Sequence, residues 1–254
     1  MNNKFFGNSL DLFKYDVLTF LLNLEKADLF YLAMLTKPEP KKLDPKYKLF
    51  EVGIKNKILF EFINEINKPE SKIEINDLTN YFSSVNVKHT IVLNESFGFK
   101  NIISFENINY FENETRIDYF ENSILVYKSK ISKSILFLDA DVGIDLGIKR
   151  RVRSMKNMYL NAQEVHKING NLKDKDFLCF FQHLGNPRFK IEERLDMLKH
   201  EFGKFVLMFA YERISACLVF IFKDEHEYLR IKNNLLEYMN LYNEIKHFQR
   251  IKLL

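Results

Sequence analysis

The chain has 254 residues, which is enough for one large domain with a substantial buried core. Its 38 basic and 34 acidic residues give a formal net charge of +4, so a nucleic-acid partner is compatible with the composition but not required by it. No run of about twenty apolar residues is free of charge, which excludes a membrane span, and the first eight residues lack a secretory-signal pattern. Cys179 and Cys217 lie in apolar runs without metal-ligand spacing, so we expect free thiols in a cytoplasmic protein.

The first half of the chain alternates helical and strand patterns. Apolar residues recur at three-and-four spacing over 9–24, which predicts an amphipathic helix capped by Asn8 or Ser9. The other elements predicted here are strands over 29–35, 88–93 and 101–105, helices over 47–66 and 76–82, and a proline-containing loop over 36–45. Residues 106–121 are polar and rich in asparagine, and they fit either an insertion or short hairpin strands.

The second half continues the alternation and ends in a hairpin pattern. Apolar runs over 205–211 and 215–222 are separated by three residues, too few for a crossover, so we predict an antiparallel hairpin at one sheet edge. Asp224 is predicted to cap a last long helix over 225–248, whose apolar stripe should face the sheet. The other elements predicted here are a buried strand that starts at Ser134, a strand over 176–183, and helices over 158–168 and 191–202.

This order of elements predicts an α/β fold. Strands that alternate with helices, followed by a hairpin, indicate a three-layer sandwich with a mainly parallel sheet and an antiparallel C-terminal hairpin, of Rossmann-like type. No repeat or low-complexity linker divides the chain, so we predict a single domain over 1–254 with a candidate insertion around 106–122.

An acidic strand end is the main candidate site. The strand from Ser134 ends in Asp139 and Asp141, and ligands of open α/β sheets bind outside the carboxyl ends of the strands. The strand over 176–183 ends in Gln182 and His183, so we expect both strand ends to share one cleft. The competing interpretation is that the two aspartates only cap the following turn.

Three short blocks resemble known methyltransferases. Gly7-Asn8-Ser-Leu-Asp11-Leu-Phe-Lys14-Tyr15 resembles the Gly-Asn-x-x-Asp-x-x-Lys-His segment of large-subunit rRNA adenine-N6 methyltransferases, which have a class I methyltransferase-like fold. The block over 137–144 resembles the Asp-Pro-Asp-Asn-Gly-type block of a group of bacterial methyltransferase-like proteins, and residues 181–188 resemble the next block of that group.

The resemblance implies a role for each block. It implies S-adenosylmethionine as the cofactor, bound by the amino-terminal residues Gly7, Asn8, Asp11 and Lys14. It also implies a nucleic-acid substrate, with the catalytic residues Asp139, Asp141 and His183. Asp139 would accept a hydrogen bond from the target amine.

The chain departs from the methyltransferase pattern at two places. The turn after the first strand normally contains glycine, which lets the backbone approach the cofactor, but residues 33–38 here read Ala-Met-Leu-Thr-Lys-Pro. Methyltransferases of this kind usually have a catalytic Asp-Pro-Pro-Tyr block, but the residues that start at Asp139 contain neither the prolines nor the aromatic residue. A base would therefore need another stacking partner, for example Phe181. The cofactor loop is therefore degenerate.

Two alternatives remain open on the same residues. Asp139, Asp141 and Asp145, completed by Glu164 or His183, would suit Mg²⁺ in a nuclease or phosphodiesterase. The missing glycine turn also fits a catalytically silent fold that serves as a binding module. A calcium loop is excluded, because its twelfth position is Arg150 where a glutamate is needed.

A basic run follows the acidic strand. Its residues are Lys149, Arg150, Arg151 and Arg153. Beside the acidic strand end these side chains would contact nucleic-acid phosphates, although a solvated loop explains them equally well.

Overall fold

We describe the architecture from a computed structural model of the chain. The structure describes residues 6–33, 53–93, 113–129, 132–140, 143–145, 159–184, 191–242 and 251–254. The helices are α1 (Ser9–Glu25), α2 (Lys57–Ile66), α3 (Leu78–Ser84), α4 (Asn113–Lys128), α5 (Ala162–Gly170), α6 (Ile191–Phe202) and α7 (Glu225–Leu241). The strands are β1 (Asp28–Ala33), β2 (Thr90–Leu93), β3 (Ser134–Asp139), β4 (Gly143–Ile144), β5 (Tyr159–Leu160), β6 (Phe177–His183), β7 (Val206–Tyr211), β8 (Ala216–Ile221) and β9 (Ile251–Leu253). Single 3-10 turns precede α3 and join β7 to β8.

Seven of these strands form one mixed sheet in the order β2-β1-β3-β6-β8-β7-β9. The pairings β1–β2, β1–β3 and β3–β6 are parallel, and β8 runs antiparallel between β6 and β7. β9 pairs antiparallel with β7. Strands β4 and β5 form a separate two-stranded parallel ladder.

Helices cover both faces of the sheet, which confirms the predicted three-layer α/β sandwich. Alternate strand residues point to opposite faces, so each buried strand contributes to two cores. One core packs α1, α2, α3 and α7 against the odd-numbered residues of β1, β3 and β6. The other core packs α4, α5 and α6 against the even-numbered residues of the same strands.

Several predicted boundaries differ from the structure. Residues 113–128 form helix α4, not the short hairpin strands considered for this segment, and α4 lies in the connection between β2 and β3. Helix α7 ends at Leu241 with Tyr242 as its C-cap, so the last helix is shorter than predicted. The hairpin of β7 and β8 is present, but β9 covers its outer strand, so β7 is not the sheet edge. The strand predicted over 101–105 lies outside the described residues.

The predicted helix over 158–168 starts later than expected. Residues 159–160 belong to β5, and Asn161 caps α5. The helix predicted over 47–66 begins at Lys57 within the described residues, because Asn56 is its N-cap. Asn8 is the cap of α1, one of the two candidates.

Candidate functional site

Strands β1 and β3 define a topological switch point. From β1 the chain passes through α2 and α3, which lie on the same face of the sheet as α1, and enters β2 on one side of β1. Strand β3 lies on the other side of β1. From β3 the chain reaches β6 through α5 on the opposite face. The crevice outside the carboxyl ends of two such strands is where open α/β sheets bind ligands. The last residues of the two strands, Ala33 and Asp139, are paired there.

Four side chains form a buried cluster at this point, which we call the switch-point cluster: Asp11, Lys14, Tyr31 and Asp139. The Lys14 ammonium lies 2.9 Å from each carboxylate oxygen of Asp139 and 2.6 Å from Asp11 Oδ1. The Tyr31 hydroxyl donates to Asp139 Oδ2. Asp139 is 1% exposed, and Asp11 and Lys14 are each 3% exposed. Residues 125 positions apart in sequence therefore meet in a dry environment.

The amino-terminal segment is built to hold Lys14 in this position. Asn8 caps α1 by accepting from the backbone of Leu10 at 2.8 Å and of Asp11 at 3.1 Å. Asp11 Oδ2 accepts from the backbone N–H of Gly7 at 2.6 Å, which leaves Oδ1 for Lys14. Gly7 has a φ of +87°, and a Cβ there would overlap Ile66. The glycine, the cap and the aspartate together fix the start of α1.

The cluster carries a formal charge of −1, since two carboxylates face one ammonium. Desolvation raises the pKa of Asp11, although Lys14 opposes this effect. Burial alone would lower the pKa of Lys14, but the charges of Asp11 and Asp139 outweigh it, so the pKa is raised. Desolvation and the charge of Asp139 also raise the pKa of Tyr31 well above its ordinary value. Lys14 therefore stays protonated and Tyr31 stays a hydrogen-bond donor.

Aromatic rings flank the ammonium. Lys14 Nζ lies 4.9 Å from the centre of the Phe181 ring on β6, within cation–π range. The half-buried ring of His183 packs edge-on against Phe181 at 4.9 Å. Because β3 and β6 are parallel neighbours, the strand ends of Asp139 and His183 lie side by side, as predicted. Phe181 and His183 point to the same face of the sheet as Asp139.

Gln182 holds the segment that follows Asp139. Its side-chain oxygen accepts from the backbone N–H of Ile144 at 2.7 Å, and its amide donates to the His183 carbonyl at 3.0 Å. Gly143 has a φ of +100°, and a Cβ there would overlap the Gln182 side chain. Gln182 therefore fixes the backbone at Gly143 and Ile144, four and five residues beyond Asp139.

A second buried carboxylate lies at the opposite end of the sheet. Asp176, just before β6, accepts from the backbone N–H of Ser134 at 2.8 Å and from the Tyr127 hydroxyl. The Tyr127 hydroxyl accepts in turn from the backbone N–H of Lys173 at 2.8 Å. We call Tyr127, Ser134, Lys173 and Asp176 the amino-end cluster. It joins α4, β3 and the loop before β6 largely through backbone groups.

The structure brings together most of the predicted site residues that it describes. Asp11, Lys14 and Asp139 are in contact, Gly7 and Asn8 support them, and His183 lies on the neighbouring strand end. Asp141 and the basic run Lys149, Arg150, Arg151 and Arg153 lie outside the described residues. The same holds for residues 34–38, where the glycine turn is missing from the sequence.

The magnesium alternative depends in part on Asp141, which lies outside the described residues. Within the described residues, no group of three histidine, cysteine or acidic side chains is placed to hold a metal ion. Lys14 Nζ lies between the carboxylates of Asp11 and Asp139, where a cation would otherwise bind. Glu164 accepts from the backbone of Asn161 in the capping box of α5, so it serves the helix start.

Sequence reasoning did not identify Tyr31. It lies inside an apolar strand run, where a tyrosine resembles any other core residue. The signal is its position two residues before Ala33 in a strand of period two, because this puts Tyr31 on the face of Asp139, next to its register partner Phe137.

Among the described helices, none combines the length and the apolar character needed to cross a bilayer. Comparison of the chain with protein-family models and with curated proteins finds no match.

Proposed function

We propose that this chain is a methyltransferase-like protein that binds S-adenosylmethionine and acts on nucleic acid at the switch point. The observation that carries the proposal is that the Lys14 ammonium pairs with both Asp11 and Asp139 at the carboxyl ends of β1 and β3. This crevice is the ligand site of open α/β sheets. The antiparallel strand β8 between β6 and β7 also fits this proposal, because the class I methyltransferase-like fold that the sequence resembles ends in a reversed hairpin.

The switch-point cluster has the charge that a cationic cofactor needs. S-adenosylmethionine carries a sulfonium and an ammonium, and when bound it supplies an electrophilic methyl group. The net charge of −1 on Asp11, Lys14 and Asp139 attracts such a cation. Gly7 and Asn8 would fix the backbone at the start of α1, next to the bound cofactor. The absence of a glycine turn at 33–38 favours binding through this amino-terminal segment.

Asp139 is the residue proposed to orient the substrate. A carboxylate oxygen accepts a hydrogen bond from an exocyclic amine, and here both oxygens already accept from Lys14. An amine therefore reaches Asp139 when it replaces the Lys14 ammonium. Phe181 and His183 would stack on the base, and Lys149, Arg150, Arg151 and Arg153 would contact the phosphates.

A catalytically silent binding module is the second candidate. It is favoured by the complete burial of Asp139 and by its two strong side-chain partners, which suit a structural ion pair. Two buried free cysteines fit a cytoplasmic protein under either candidate.

Transfer of a labelled methyl group separates the two candidates. The purified chain is incubated with S-adenosylmethionine and with RNA or DNA, and cofactor binding is followed by calorimetry. We expect binding and transfer, both lost in Asp139→Asn and retained in Asp176→Asn, which changes a buried aspartate at the other end of the sheet. Cofactor binding without methyl transfer would support the second candidate, a catalytically silent binding module. The absence of both would reject the methyltransferase proposal.

A further inference from the structure

A third buried carboxylate, Asp16, lies beside a cavity away from the switch point and the amino-end cluster. The cavity has a volume of about 380 Å³ and lies between α1, α7 and the start of α2. Its lining includes Asp16, Phe20, Lys55, Tyr238, Leu241 and Tyr242. A volume of this order suits a small organic ligand.

Asp16 is held by neutral groups. It is 5% exposed and accepts from the Tyr238 hydroxyl at 2.6 Å and from the Tyr242 hydroxyl. In the part of the chain that the structure describes, no lysine, arginine or histidine forms an ion pair with it. A buried carboxylate without a counter-ion is costly, so this position is favourable for a cation.

The remaining polar groups of the network are satisfied by one another. The Thr19 hydroxyl pairs with the Tyr81 hydroxyl at 2.8 Å, and Asn56 Nδ2 donates to the same tyrosine at 3.3 Å. The Tyr242 hydroxyl accepts from the backbone N–H of Gly53 at 3.1 Å. The carboxylate is therefore presented by a rigid polar frame.

Three aromatic side chains line the cavity together with Asp16. Phe20 packs edge-on against Tyr238 at 5.4 Å, and Tyr238 lies 5.2 Å from Tyr242. Aromatic faces beside a carboxylate bind organic cations through both charge and ring quadrupole. Lys55 is exposed, and its ammonium donates to the Leu241 carbonyl at the end of α7 and lies 5.5 Å from the centre of the Tyr242 ring.

We propose that this cavity binds a small organic monocation, an amine with an apolar body, whose ammonium pairs with Asp16. The apolar body packs against Phe20, Leu241 and the tyrosine rings. This site is independent of the function proposed for the switch point, since it shares none of that cluster's residues.

Titration with benzylamine and with benzyl alcohol tests the proposal. The two probes have nearly the same shape, but at pH 8 the first is cationic and the second neutral. By calorimetry or ligand-observed NMR we expect saturable benzylamine binding that is roughly tenfold tighter than that of the alcohol. In Asp16→Asn the advantage of the amine should vanish, and in the control Asp176→Asn it should persist.

Leu241→Trp provides a variant that does not disturb the buried network. Leu241 is 51% exposed at the rim, so a larger side chain should narrow the cavity without unfolding the protein. Weaker binding of both probes to this variant supports the location. Equal affinity of wild type for amine and alcohol, or benzylamine binding that is unchanged in Leu241→Trp, would overturn the proposal.

Discussion

The two ends of the sheet each contain a buried aspartate that accepts from a tyrosine hydroxyl, yet the two are built differently. Asp176 in the amino-end cluster also accepts a backbone N–H, so it completes the hydrogen bonding of the chain itself. Asp139 in the switch-point cluster accepts from the ammonium of the Lys14 side chain, which itself lies beside the Phe181 ring. A carboxylate that satisfies backbone is fixed by the fold, whereas one held by a side-chain ammonium can exchange that partner for a ligand. The difference predicts which end carries function.

Removal of the ammonium should have the largest effect. Lys14→Met leaves two buried carboxylates close together without their cation, so we expect a loss of about 3–5 kcal/mol in the free energy of unfolding. Lys173→Met at the amino end should cost about 1 kcal/mol or less, because Lys173 contacts the Tyr127 ring at 5.1 Å and its ammonium has no hydrogen-bond partner among the described residues. Urea unfolding measures both.

A double variant sharpens this prediction. Lys14→Met combined with Asp139→Asn removes one of the two unpaired charges, so it should recover part of the stability lost in Lys14→Met alone. If both lysine variants lose the same stability, the contrast between the two ends of the sheet is wrong.

The next effect concerns the start of α1. Gly7→Ala places a methyl group against Ile66 in a left-handed conformation, and we expect a loss of about 2 kcal/mol. Gly203, at the amino end of β7, has a φ of +93° but open space around its Cα. Gly203→Ala should therefore cost only the conformational strain, about 1 kcal/mol. Thermal unfolding of the two variants checks this, and a larger loss for Gly203→Ala would contradict it.

Variants of the tyrosines that donate to the two aspartates should have smaller effects on stability, but they test more directly which end of the sheet binds a ligand. Tyr31→Phe and Tyr127→Phe each remove a hydroxyl that donates to a buried carboxylate. We expect each change to lower the free energy of unfolding by about 1.5 kcal/mol. Each hydroxyl also has a second partner, the Tyr15 hydroxyl at 3.3 Å for Tyr31 and the Lys173 N–H at 2.8 Å for Tyr127, so we expect similar losses of stability in the two variants. We expect only Tyr31→Phe to change the affinity for S-adenosylmethionine, as measured by calorimetry. An equal change in both variants would count against a ligand site at the switch point.

The smallest expected effect is on pH dependence. Desolvation raises the pKa of Asp176 above its unfolded value, so the folded state binds its proton more tightly than the unfolded state. The cost of Asp176 to the free energy of unfolding is therefore smallest below about pH 4. This cost grows as the pH rises through the raised pKa of Asp176. The stability of Asp176→Asn relative to wild type should increase over that range, in chemical denaturation at several pH values. A flat difference would show that the carboxyl titrates normally.

The sequence predicts the layers of this fold well, because helical and strand periodicities report which face of an element is buried. It fails at α4, whose apolar residues do not follow one stripe; Ile117 and Leu125 are more than half exposed. Strands β4 and β5 have two residues each, too few for any pattern.

The position of the candidate site was also predictable, whereas its contacts were not. The rule for strand ends indicates Asp139, and the Gly-Asn-x-x-Asp-x-x-Lys segment indicates Asp11 and Lys14. Nothing in either pattern shows that one ammonium joins two carboxylates, since that depends on how α1 packs across the sheet.

Strand β9 has a consequence for self-association. The six residues of β7 are all buried and mostly apolar. Strand β9 pairs with the outer hydrogen-bonding edge of β7, and Leu254 continues this pairing through two backbone hydrogen bonds of 3.0 Å with Met208. An unpaired strand of this composition is a template for intermolecular β pairing. Lys252 on β9, which forms an ion pair with Glu212 at 2.7 Å, adds charge at the new edge. The three residues of β9, Lys252 among them, cover this edge, so we expect their removal to promote aggregation.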